Sequence, residues 1–160
     1  MRLRFATRAA EQAPVDHGFG VTRALLDAKT GAPVTNPTLG QLLKVRVTIT
    51  TAALRQQVAL VDMLPAGFEA VDSALATSAA EPNPSQDSVV NYEYSPWVHR
   101  ELHDERVTHF ADALSAGKHV AEYLVRATRK GTFLRPAASA EMMYAPEVFG
   151  HGALESVNVH

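Results

Sequence analysis

Leu43-Lys44-Val45-Arg46-Val47-Thr48-Ile49-Thr50 alternates apolar and polar residues without a break. A period of two, with β-branched side chains, sets one face against a core and the other in water: a half-buried strand. A few residues on, the pattern changes. Val58-Ala59-Leu60-Val61 is continuously apolar, so a strand over Gln57 to Leu64 is covered on both faces. Asp62 sits inside that run, and Pro65-Ala66-Gly67 ends it.

The flanks read the same way, with less regularity. Leu3 to Ala9 and Phe19 to Leu26 are short strands. Asp27-Ala28-Lys29-Thr30-Gly31 between strands is turn chemistry, with Asp early and Gly where positive φ is cheap. Thr35-Asn36-Pro37-Thr38 continues as loop. Leu75 to Ser88, rich in Ala, Ser, Pro and Asn, predicts a long surface loop. Val89 to Ser95 alternates weakly, with Val90, Tyr92 and Tyr94 on one side. Arg106 to Leu114 and His119 to Arg129 flank Ser115-Ala116-Gly117-Lys118, which predicts a hairpin with Gly at its turn. In the second arm Ala121, Tyr123, Val125 and Ala127 share a face; Glu122, Arg126 and Thr128 share the other. Lys130-Gly131 turns into Thr132 to Arg135. Glu141 to Tyr144 predicts a helical turn stopped by Pro146. Glu155 to His160 is a last strand with Val157 and Val159 inward. The sum is an all-β chain: an antiparallel β-sandwich of about eight or nine strands, one domain over residues 1–160.

Composition narrows the function. The chain has 160 residues, 46% hydrophobic and 20% charged, enough for a sizeable core. A net charge of −2 gives no general attraction to nucleic acid or anionic lipid. The absence of cysteine excludes disulfides, thiolate metal sites, a cysteine nucleophile and any thioester made by this chain's own residues. No apolar run approaches the roughly 20 residues of a membrane helix. Met1-Arg2-Leu3-Arg4-Phe5 lacks the apolar segment of a signal peptide, which fits either a cytosolic protein or a piece of a longer secreted chain.

The chemistry-bearing residues do not assemble into a catalytic set. His99 and His103 are four apart, a spacing that grips zinc on a helix, but Arg100 stands where a zinc protease needs Glu, and the segment leads into a strand. A surface loop rich in histidine explains them more simply. Arg100, Glu101, Asp104, Glu105 and Arg106 form a mixed-charge cluster. It is either a solvated run or, together with Arg126, an arginine–carboxylate brace. No Gly-x-Ser-x-Gly elbow and no phosphate-cradling loop exist. No cofactor and no metal is implied. Glu141-Met142-Met143-Tyr144 before Pro146 is unusual: two thioethers and a phenol that pack either on the domain's own core or on another surface.

An ordered set of segments resembles the C-terminal, MG10-type domain of bacterial α2-macroglobulins. The set comprises Gly18-Phe19-Gly20-Val21-Thr22-Arg23; Val58 to Glu69, which reads VALVDMLPAGFE; His99-Arg100-Glu101 with Asp104-Glu105-Arg106-Val107; Tyr123 to Thr128; Gly131-Thr132-Phe133; and Ala140 to Gly150, which reads AEMMYAPEVFG. It runs from about residue 3 to the end. Two departures are small: Asp104-Glu105-Arg106 stands for Asp-Asp-Arg, and one of two prolines near Arg135-Pro136-Ala137 is replaced.

The resemblance implies a macroglobulin-like sandwich ending a much larger protein of the periplasm or cell envelope, with a lipid anchor as one option for that parent. It implies a non-enzymatic part of a protease inhibitor. In such a parent a protease cuts a bait region and a thioester in another domain traps it. This domain is then expected to pack on the thioester and neighbouring domains, with Met143 and Tyr144, flanked by Glu141 and Met142, as an apolar shield over the thioester. Target proteases are met only indirectly, with no nucleic acid and no direct membrane insertion. The alternatives are a self-standing module binding a ligand or carbohydrate on Trp97 and Tyr94, and, behind it, a zinc hydrolase using His99 and His103.

Overall fold

The structure is a computed structural model describing residues 13–72 and 95–160. The strand expected over 3–9, the loop over 75–88 and nearly all of the strand over 89–95 lie outside them. Among the described residues are twelve strands and no helix. They are β1 (Val15–His17), β2 (Gly20–Asp27), β3 (Leu42–Thr51), β4 (Arg55–Met63), β5 (Phe68–Val71), β6 (His99–Leu102), β7 (Arg106–Leu114), β8 (Gly117–Ala127), β9 (Gly131–Arg135), β10 (Ser139–Met142), β11 (Ala145–His151) and β12 (Glu155–Val159). The excess over eight or nine comes from short strands, such as β1, β6 and β10, that are too brief to carry a period.

Two sheets face each other across the core. One has the order β1-β11-β10-β4-β7-β6, the other β2-β3-β8-β5, and β9 with β12 forms a separate ribbon. Pairing between strands is antiparallel throughout. The β3 alternation holds, with Leu43, Val45, Val47 and Ile49 all buried. β4 is an interior strand between β10 and β7. Val58, Leu60 and Asp62 face the core; on the outer side Ala59 is buried and Val61 half-buried, so the second face is covered in part. β8 buries Ala121, Tyr123, Val125 and Ala127, and β12 buries Val157 and Val159.

The Asp27 turn forms as expected. The carboxylate accepts the N–H groups of Lys29 and Thr30 at 3.0 and 2.9 Å, and Gly31 takes φ 70°. These bonds, Thr30's first and then that from Gln41, hold the Asp27 carboxyl down at about 2.

Two expectations are corrected. β7 and β8 are not a hairpin. β7 pairs with β4 and β6, β8 with β3 and β5, and Ser115-Ala116 arches from one sheet to the other. Gly117, at φ 135°, serves an arch as well as a hairpin turn, so local sequence does not separate them. Glu141 to Tyr144 is not a helical turn. β10 and β11 form a hairpin whose two turn residues are Met143 and Tyr144. β10 is paired with β4 on its other side, so its backbone groups are committed to the sheet.

Candidate functional site

The hairpin tip splits the four residues expected to act together. Period two turns Ala140 and Met142 inward and Glu141 outward, and Met142 packs against the core. Met143 and Tyr144 project from the end of the sandwich, 40% and 85% exposed. The β3–β4 connection reaches the same end, because β10 runs antiparallel beside β4 with Met142 opposite Val58, three residues from the start of β4 at Arg55. It brings Leu54, 62% exposed, to that surface.

The charged segment folds as its own hairpin, β6–β7, closed by the His103 N–H donating to the Arg106 carbonyl at 2.9 Å. Its pairs are short-range and open to water. Arg106 meets the adjacent Glu105 at 2.8 Å, and Glu101 lies 3.6 Å from His99 and 3.3 Å from His103. Arg100 and Asp104 are exposed, and Arg126 donates to the Gly40 carbonyl at 3.0 Å. A bidentate brace is not among these contacts. Among the described residues no group of three or more His, Asp or Glu side chains is placed to hold a metal.

His109 lies apart from that surface. It sits on the core face of β7, 4% exposed, between Trp97 and Tyr123 at ring separations of 5.7 and 6.1 Å. Burial first, and the nearby Arg100 charge second, push its pKa down from 6.5 to about 4. Between those values the unfolded chain takes up a proton that the folded chain refuses, so stability falls as pH drops through the window. The shift corresponds to about 3 kcal/mol once pH reaches 4. In urea titrations at pH 7 and pH 4.5, His109→Gln is expected to lose clearly less stability than the native chain. Equal losses would assign the acid sensitivity elsewhere. Trp97 is drawn into the same packing, its indole N–H donating to the Val120 carbonyl at 2.8 Å. Tyr94, its expected companion in a stacking platform, lies outside the described residues.

Sequence reasoning missed the polar centre of the fold. Asp62, 1% exposed, accepts hydrogen bonds from the Arg23 guanidinium and, at 2.7 Å, from the Tyr123 hydroxyl. Arg23 also reaches Glu155 at 3.4 Å, and Glu155 pairs with the buried Arg135 at 3.3 Å. The group joins β4 of the first sheet to β2 and β8 of the second and to the β9–β12 ribbon. Burial, then the Asp62 charge, raises the Tyr123 hydroxyl well above its ordinary pKa, while burial and the neighbouring Arg23 lower that of Arg135. The one signal in the sequence was an aspartate inside an apolar run, since a buried charge demands partners.

The fold agrees with that of known proteins. The bacterial α2-macroglobulin MG10 domain family matches residues 18–147. An α2-macroglobulin homolog from a Nostoc species is 35% identical over 117 residues, 72% of this chain and 6% of that protein. Circularly permutated Ras protein 2 from Dictyostelium discoideum is 31% identical over 124 residues, 78% of this chain and 3% of that one. The crystal structure of trypsin-activated α2-macroglobulin from Escherichia coli shares the fold at a TM-score of 0.81 and 24% identity, over 93% of this chain and 11% of that chain. The chain thus spans a small fraction of the proteins it matches, and it belongs to the bacterial α2-macroglobulin MG10 domain family.

Proposed function

We propose that this chain is a non-enzymatic docking domain of a bacterial α2-macroglobulin-type protease inhibitor, and that its Met143–Tyr144 tip covers the thioester of a neighbouring domain until the bait region is cut. The carrying observation is Tyr144, a large aromatic 85% exposed at a hairpin tip that points away from its own core. An apolar ring held in water is costly and gains by covering a partner surface. Leu54 at the same end widens that surface. Family membership supports the parent, and the small share of each relative that the chain spans supports neighbouring domains as partners. The parent's place is the periplasm or cell envelope, with target proteases met by the whole inhibitor rather than by this domain.

Shielding is tested in the whole inhibitor with methylamine, a small amine that opens exposed thioesters. Seating an aromatic side chain is worth about 1.5–3 kcal/mol, so Tyr144→Ala is expected to speed inactivation by roughly tenfold or more. Met143→Ala, removing a less exposed side chain, has the smaller effect. Equal rates for both variants and the native protein would remove the shielding role.

A further inference from the structure

We propose that Gln57 is the positioning residue for the Met143–Tyr144 tip, which it holds through a left-handed backbone kink inside β4. Among the described residues Gln57 is the one non-glycine with positive φ, at 51°. It lies within a nine-residue strand with regular pairing on either side, Gln56 opposite Ala113 and Val58 opposite Ala111. An L-residue crowds its own Cβ against the backbone in that conformation, and such strain persists where surrounding structure over-determines it.

The use of the kink shows on the other edge of β4. The ladder between β4 and β10 ends with Met142 opposite Val58. One residue further, the Gln57 carbonyl accepts the Met143 N–H at 2.9 Å. The Gln57 side chain goes the opposite way, its amide donating to Asp112 on β7 at 3.5 Å. On the tip's other flank the pairing is irregular, since Met142 and Ala145 close the hairpin and the register then shifts. Glu141 pairs with Phe149 but Met142 pairs with Ala145, so Pro146, Glu147 and Val148 are extra residues without partners on β10. Pro146 has no N–H to give. The direction of the tip is therefore set from β4, and Gln57 is where β4 reaches it.

The consequence for inhibition rests on the shielding function proposed above; the anchoring does not. Amide hydrogen exchange by NMR on this chain separates them. Glycine enters the left-handed region freely and valine resists it. Gln57→Gly is expected to keep the Met143 amide protected. Gln57→Val is expected to lower that protection about tenfold or more while the Val58–Val61 amides keep theirs. In the whole inhibitor, Gln57→Val is expected to speed methylamine inactivation, and Gln57→Val with Tyr144→Ala to be no faster than Tyr144→Ala alone. Unchanged Met143 exchange in Gln57→Val overturns the proposal. So does an even loss of protection across β4, β7 and β10, which would mean that Gln57 serves the fold and not the tip. An inert Tyr144→Ala beside the expected exchange pattern removes the shielding reading and leaves the anchor standing.

Discussion

Asp62→Ala is expected to lower the stability of the domain by about 3–5 kcal/mol, the range seen when one partner of a buried ion pair is removed. The carboxylate receives both the Arg23 guanidinium and the Tyr123 hydroxyl. Its loss leaves a cation only 5% exposed facing Arg135, with Glu155, itself 41% exposed, as the remaining counter-charge. The centre has no slack to absorb this, because Arg23 Nε and Arg135 Nη2 are already buried without a hydrogen-bond partner. For a chain of this length the change corresponds to a fall in Tm of about 10–15 °C. Asp62→Asn, which keeps an acceptor but not the charge, is expected to fall between. The triple replacement Arg23→Met, Asp62→Leu, Arg135→Met is expected to recover much of the loss, since apolar packing often matches a buried ionic group. Urea or thermal unfolding decides the matter. A cost for Asp62→Ala no larger than that of an exposed carboxylate such as Glu105, about 0.5 kcal/mol or less, would mean that the ionic centre does not hold the sheets together.

The second large effect is steric. β11 passes over the crossing from β1 to β2, and a Cβ on Gly150 would lie 1.7 Å from the carbonyl oxygen of Phe19. Phe19 is fully buried, and Gly150 is held in register by Asp16 on one side and Ala140 on the other. Backbone faces backbone, so no rotamer change relieves the clash; β11 must lift or the β1–β2 crossing must open. Gly150→Ala is expected to cost at least the roughly 3 kcal/mol at the upper end of overpacking effects. Gly31→Ala is the control. Gly31 has positive φ, but a methyl group there would meet nothing within 4 Å, so only the conformational cost of about 1–2 kcal/mol applies. Equal costs in denaturant titrations would show that the close approach at Phe19 does not constrain the fold.

Much of the architecture can be read from single segments. The Leu43–Thr50 alternation names its own buried face, since side chains of a strand alternate whatever the strand is paired with. The apolar run at Val58–Val61 announces a strand with little water on either face, and Ala59 on the outer side is indeed buried while Val61 is half-buried. The Asp27–Gly31 turn is local in its hydrogen bonds and so is legible locally. Met143 and Tyr144 stand out because thioethers and a phenol beside a proline are odd company for a surface loop.

The partners are a different matter. A two-residue link followed by glycine serves an arch and a hairpin alike, so the destination of β8 depends on β3, which offers ten residues of matched pairing. The β10–β11 tip reads locally as a helical turn because β4, which makes it a strand, lies some eighty residues earlier in the chain.

Alone, the chain determined that it is an all-β sandwich with its core strands, and its ordered segments carried the family. Where those segments meet was decided by tertiary structure: Arg23 on Asp62 and Tyr123, Gly67 beneath the Phe133 ring, Gly150 against Phe19. Each meeting joins residues dozens of positions apart. Burial, charge pairing and close approach depend on distance in space, and periodicity along a strand records only which face a residue takes.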